Sequence, residues 1–312
     1  MKRKFFLMAA WLISAVCAMA QERDINPVPE NYINTECEQA GQVVRLDYIT
    51  TNFQDGCPMD KHALVYLPYG YSAKQKYNTF YLMHGGGTDE ETYLHGIPAQ
   101  KEMYNGNFSS TKLQRILDHA IAKGELDPMI VVCPSFYLNQ EDKGDAGTCT
   151  KNFSKELQND LIPAVERSYS VYKGRDHRAF GGFSMGSVTT WYQVCQSMDY
   201  FRYFMPMSGD CWGVSQLGGK DHPVETAAYV EDAIKKSGYA AKDFNIFSIT
   251  GSKDIAYSHL GQQIAEMRHL PTFQFNADLK QGNVCYGVYP EGEHNYNYMI
   301  IYVYNALPHF FK

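Results

Sequence analysis

Ser184 stands between two glycines in Gly182-Phe183-Ser184-Met185-Gly186, the pattern Gly-x-Ser-x-Gly. The pattern is short, so its surroundings decide what it means. His177 to Phe183 reads as a buried strand and Ser187 to Gln196 as the helix that follows. A serine between them sits on a sharp strand-to-helix turn, with its hydroxyl lifted above the sheet. Side chains at positions 182 and 186 would clash with the neighbouring strand and helix, which accounts for the glycines. A glycine-rich turn with a capping serine shares the pattern, but the strand–helix context favours a nucleophile.

A serine hydroxyl attacks a carbonyl carbon only if a base takes its proton. On the fold that carries this turn, the partners follow in the order serine, acid, histidine. Of the ten histidines, His294 fits that order, because Tyr289-Pro290-Glu291-Gly292-Glu293-His294 follows the last predicted strand. His259 and His269 belong to a helical stretch after an earlier strand, and His309 comes too late. Asp254 follows the penultimate strand in Gly251-Ser252-Lys253-Asp254 and would orient the imidazole. Asp210, after the preceding strand, is the competing position, and chain order favours Asp254. The oxyanion of a tetrahedral intermediate needs two backbone amides. Met185, next to the serine, supplies one, and Gly86 in His84-Gly85-Gly86-Gly87 is the expected second.

These residues need a scaffold of alternating strands and helices. Val43 to Ile49 and His62 to Leu67 read as an antiparallel pair. Thr79 to Met83, Met129 to Cys133, Tyr203 to Met207, Phe244 to Thr250 and Val284 to Tyr289 read as further strands. Phe153, Leu157, Leu161, Val165 and Tyr169 share one helical face, with Pro163 expected to kink the helix or mark a boundary. Tyr298 to Leu307 reads as a closing helix. The expected fold class is α/β, an α/β-hydrolase with a central, mostly parallel sheet flanked by helices.

Composition narrows the partners. A net charge of −6 and a pI near 5.9 argue against nucleic acid or an anionic membrane. Lys2-Arg3-Lys4, the apolar run Phe5 to Val16 and Ala18-Met19-Ala20 form a signal-peptide pattern over residues 1–20, followed by one domain over residues 21–312. That leader predicts a secreted or periplasmic protein without a transmembrane anchor. Cys17 invites a lipoprotein reading, which Val16 disfavours because a lipobox needs a small residue there. Seven cysteines remain after the leader, none in a Cys-x-x-Cys pair, so no metal site is expected from them. The chemistry requires no cofactor.

Taken in order, several segments resemble the feruloyl esterases of carbohydrate esterase family 1, found as modules of xylanases. They are Tyr66-Leu67-Pro68, Tyr81 to Gly87, Glu156-Leu157, Asp160 to Pro163, Arg178 to Gly186, Thr250 to Tyr257, Gly292-Glu293-His294 and, at the C-terminal end, Tyr302, Tyr304 to Pro308 and Phe310-Phe311. The resemblance runs from about Val43 to the C-terminus and implies the same Ser184, His294 and Asp254. It implies a feruloylated or acetylated plant polysaccharide as partner, and a feruloyl-binding role for Trp212 in Ser208-Gly209-Asp210-Cys211-Trp212. Two departures stand out: Asn295-Tyr296-Asn297-Tyr298 follows the histidine where tryptophans are common, and Ser187 replaces a frequent glycine. Acetyl xylan esterase, another small-acyl esterase and an inactive carbohydrate-binding relative are the alternative readings.

Overall fold

The computed structural model describes residues 22–96, 112–139 and 143–312. The expected leader, residues 1–20, lies outside the described residues. Within them, one nine-stranded sheet organises the chain. The strands are β1 (Arg23–Asp24), β2 (Gln42–Thr51), β3 (Pro58–Leu67), β4 (Asn78–Met83), β5 (Met129–Cys133), β6 (Arg178–Phe183), β7 (Tyr203–Met207), β8 (Asn245–Gly251) and β9 (Val284–Tyr289). Their spatial order is β1-β9-β8-β7-β6-β4-β5-β3-β2. Strand β3 runs antiparallel to β2 and β5, and every other pairing is parallel.

The strands bury both faces because their side chains alternate between two cores. In β4, Tyr81 and Met83 enter one core while Phe80 and Leu82 enter the other. In β5, Ile130 and Val132 oppose Met129, Val131 and Cys133 in the same way. Such two-sided burial explains near-continuous apolar strands rather than an apolar–polar alternation. Helices α1 (Glu30–Asn34), α2 (Lys112–Ala122) and α9 (Tyr296–Ala306) cover one face. On the other face lie α3 (Ala146–Glu156), α4 (Ile162–Ser168), α5 (Met185–Gln196), α7 (Pro223–Lys236) and α8 (Tyr257–Met267), with a short α6 (Gly218–Asp221) in the connection before α7.

The fold agrees with the expected α/β-hydrolase architecture and departs from the sequence reading in local detail. The helix expected from Phe153 begins seven residues earlier, at Ala146, because the Asp145 side chain accepts the N–H of Thr148 at 2.7 Å and caps it. Pro163 marks a boundary, one of the two outcomes its position predicted. It occupies the first turn of α4, after a wider π-turn over Leu157–Leu161 in which Ile162 donates to the carbonyl of Leu157. Strand β1 had no sequence signal, since its two residues owe their strand state to parallel pairing with Gly287 and Val288. Among the described residues, no helix is long and apolar enough to cross a membrane.

Candidate active site

The turn at Ser184 is built by steric exclusion. Ser184 has φ 58° and ψ −118°, a positive φ that a residue with a Cβ adopts only under constraint. A Cβ on Gly182 would strike the carbonyls of Gly186 and Met83. One on Gly186 would strike the carbonyls of Met83 and His84. The turn can therefore close against β4 only with glycine at both flanks. Ser187 donates its hydroxyl to the carbonyl of Gly209 at 2.7 Å, so the departure at this position pins α5 to the loop after β7.

Ser184, His294 and Asp254, 110 and 40 residues apart in sequence, meet at the C-terminal ends of the strands. His294 Nε2 lies 2.8 Å from Ser184 Oγ, and His294 Nδ1 lies 2.8 Å from Asp254 Oδ1. The same Asp254 oxygen accepts the N–H of Ala256 at 2.7 Å. Both side chains are withdrawn from water, with 7% of the His294 side chain and none of the Asp254 side chain exposed. The loops that carry them are joined through backbone: Lys253 donates to the carbonyl of Gly292 at 2.9 Å, and Ser252 to that of Tyr289 at 3.0 Å. Gly251 and Gly292 touch where a side chain on either would collide with the other. The Phe183 ring lies 4.6 Å from the imidazole, centroid to centroid, and limits its rotation.

Asp210 is held elsewhere. Its carboxylate accepts the N–H of Gly219 at 2.7 Å and lies 3.3 Å from the indole nitrogen of Trp212. Burial pushes its carboxyl above the usual range. The structure thus brings Asp254, rather than Asp210, to His294.

The loop after β4 presents one amide toward the same place. The Gly85 N–H donates to Tyr296 Oη at 2.8 Å, and the Gly87 N–H donates to Tyr137 Oη at 2.9 Å. The Gly86 N–H between them has no partner among the described residues. A Cβ on Gly86 would lie 3.1 Å from Met185 Cγ, so this loop packs against the side chain of the residue that follows Ser184. As the first residue of α5, Met185 has an N–H that no carbonyl of the helix can reach. His84 supports the loop from beneath. It is fully buried, stacks on Phe136 at 4.4 Å, and bridges the Gly85 carbonyl at 2.7 Å and Ser135 Oγ at 2.8 Å. Burial lowers its pKa to about 4, so the ring is neutral near pH 7.

Tyr137 and Tyr296 were not singled out from the sequence. Tyr296 reaches Gly85 across 211 residues, and a tyrosine two positions after the histidine has no local pattern to betray that reach.

Trp212 lines an open groove of about 700 Å³ together with Gly147, Asn152, Met185, Tyr192 and Gln216. Met185 borders both this groove and the amides beside Ser184. The indole faces the backbone of Gly147, where an added Cβ would lie 3.8 Å from the ring. The Tyr192 hydroxyl donates to the Trp212 carbonyl at 3.1 Å, and the indole N–H is turned toward Asp210. Trp212 is therefore half-buried, fixed at both ends and available on one face.

A serine on a strained strand–helix turn, over a mostly parallel sheet, defines an α/β-hydrolase. The family model Esterase, described as "Putative esterase", matches residues 56–309, and the chain belongs to that family. Over 296 residues the chain is 41% identical to endo-1,4-beta-xylanase Y of Acetivibrio thermocellus, covering 91% of this chain and 24% of that protein. It is 29% identical over 199 residues to an endo-1,4-beta-xylanase/feruloyl esterase of Xylanibacter ruminicola, covering 58% of this chain and 25% of that protein. The chain thus spans about a quarter of the length of these curated relatives. Among solved structures it is similar to a mutant of the feruloyl esterase module from Clostridium thermocellum complexed with sinapinate. That similarity has 40% identity and a TM-score of 0.76, and it covers 94% of this chain and 95% of that one. A CE1 ferulic acid esterase from Anaeromyces mucronatus shares the fold at 18% identity and a TM-score of 0.65, covering 93% of this chain and 98% of that one.

Proposed function

We propose that this chain is a feruloyl esterase that releases hydroxycinnamic acids from xylan through an acyl-enzyme. The observation that carries the reading is the hydrogen-bonded row Ser184–His294–Asp254 beside two free-standing amides and a tryptophan-lined groove. The 40% identity to a feruloyl esterase module supports the acyl preference.

In this mechanism Ser184 Oγ attacks the ester carbonyl while its proton moves to His294 Nε2. Asp254 accepts the Nδ1–H throughout, which fixes the tautomer and stabilises the imidazolium. The N–H groups of Met185 and Gly86 receive the oxyanion, each such donor being worth about 2.7–4 kcal/mol of transition-state stabilisation. Collapse of the intermediate breaks the bond to the sugar oxygen, which takes the proton from His294. Water then gives a proton to His294 and attacks the acyl carbon, and the second collapse returns Ser184 and the free acid. The aromatic acyl group lies in the groove against Trp212, and the polysaccharide extends toward solvent. No step needs a metal or organic cofactor.

Side-by-side assay against methyl ferulate and acetylated xylan tests the reading. Preferential turnover of methyl ferulate is the expected result. Turnover of acetylated xylan alone would assign the acetyl reading instead, and no turnover of either, with no labelling by a serine-directed phosphonate, would leave a binding relative. We further propose that residues 1–20 are an export leader removed before Gln21 and that residues 21–312 form one domain. The N-terminal sequence of the protein recovered from its native host tests the cleavage point.

A further inference from the structure

His62 on β3 and the pair Glu90-Glu91, just beyond the oxyanion loop, converge at a point the hydrolytic chemistry does not use. His62 Nε2 lies 3.1 Å from Glu90 Oε1 and 3.2 Å from Glu91 Oε1. One donor atom from each of the three residues falls within 4.8 Å of the other two. A ring nitrogen carries at most one hydrogen, so it cannot serve two carboxylates fully at once. For a tetrahedral ion with bonds of 2.0–2.1 Å, ligand atoms stand about 3.3 Å apart, which matches both measured spacings.

The surroundings are those of a binding site rather than a solvated patch. The His62 side chain is 13% exposed and that of Glu90 5%, while Glu91 at the rim is 34% exposed. The other Glu91 oxygen contacts His95 Nδ1, the arrangement by which an outer imidazole orients a ligating carboxylate. A cavity of about 270 Å³, bordered by Asp60, His62, Asp89 and Glu90 and also by Arg45 and Lys143, gives a hydrated ion a route to the donors. The nearest cation on the same strand, Lys61, is already committed to Glu156 and to the carbonyl of Ser135.

We infer that His62, Glu90 and Glu91 form a divalent-metal site, with one imidazole and two carboxylates suited to Zn²⁺ and a water in the remaining position. Its role is structural. The ion ties the segment that starts with Gly85-Gly86-Gly87 to β3, the strand that packs beside β5. The site stands whether or not the acyl preference above is right.

Isothermal titration of Zn²⁺ into the full chain, freed of metal with a chelator, tests the inference. One equivalent binds with micromolar or tighter affinity, and the thermal midpoint rises with added Zn²⁺. His62→Gln and Glu90→Gln each weaken this equivalent by more than a hundredfold. Should either variant fail to fold, His95→Ala changes a side chain that is 55% exposed and weakens binding by about tenfold. The described residues also hold seven free thiols, so Co²⁺ is substituted and its absorption recorded. A spectrum without a thiolate-to-cobalt charge-transfer band is expected. Absence of a Zn²⁺ equivalent, binding unchanged in the variants, or a thiolate band would each overturn the site.

Discussion

Tyr296 Oη accepts the N–H of Gly85 at 2.8 Å and lies 2.6 Å from Thr88 Oγ1. Its ring packs on Phe183 at 5.2 Å and on Tyr93 at 5.5 Å. One side chain, two residues after His294, thus braces the Gly85 loop against Phe183, the residue that precedes Ser184. Removing only its hydroxyl leaves a buried donor without its acceptor, worth about 1–3 kcal/mol. Tyr296→Phe is expected to lower kcat by about tenfold with KM nearly unchanged. A matched rise in KM, or unchanged kcat, would show that the hydroxyl does not position the loop for the transition state.

Ser184→Ala is expected to retain less than about a thousandth of the wild-type rate, because a triad without its nucleophile keeps only background catalysis. The circular dichroism spectrum and thermal midpoint should stay close to those of the parent. Activity above about a hundredth of wild type would exclude Ser184 as the attacking group.

Asp254→Asn and Asp210→Asn separate the two buried carboxylates. Asp254 accepts from His294, so its amide favours the wrong tautomer and lowers kcat by about 10⁴-fold. Asp210 accepts from the Gly219 N–H and faces the indole of Trp212, so its loss appears mainly as a lower melting temperature. The opposite ranking in kcat would return the acid to Asp210.

Trp212→Ala is expected to cut kcat/KM for methyl ferulate by about tenfold or more while changing acetyl ester hydrolysis little, since an acetyl group is too short to reach the ring. Equal losses on both esters, accompanied by a lower melting temperature, would make Trp212 a structural residue.

Acid should weaken the fold through two histidines. Burial holds both His84 and His309 at a pKa of about 4, below the ordinary 6.5. Between pH 6.5 and 4 the unfolded chain takes protons that the folded chain refuses. Stability is therefore fully present above pH 6.5 and falls as the pH drops toward 4. His84→Gln should flatten that decline in urea melts run at several pH values. A slope identical to the parent's would remove His84 from the account.

The positions of Ser184, His294 and Asp254 were legible because each follows a strand end, and the strands announce themselves as apolar runs. Glycines 182 and 186 were legible because only exclusion by backbone explains them. The contacts that hold the site together were not. Tyr296 to Gly85 and Tyr137 to Gly87 depend on where two distant segments meet, which no local pattern encodes. The two-residue β1 escaped for a related reason: tertiary pairing creates it outright.

The positive φ of Ser184 sets two kinds of selection against each other. Holding a residue with a Cβ in that conformation costs about 1–3 kcal/mol, and glycine would pay almost none of it. Ser184→Gly should therefore yield a chain that resists heat better than its parent and hydrolyses nothing. A library screened for thermal survival alone would drift toward the dead variant at this codon, so any campaign to harden the protein must score turnover in the same round.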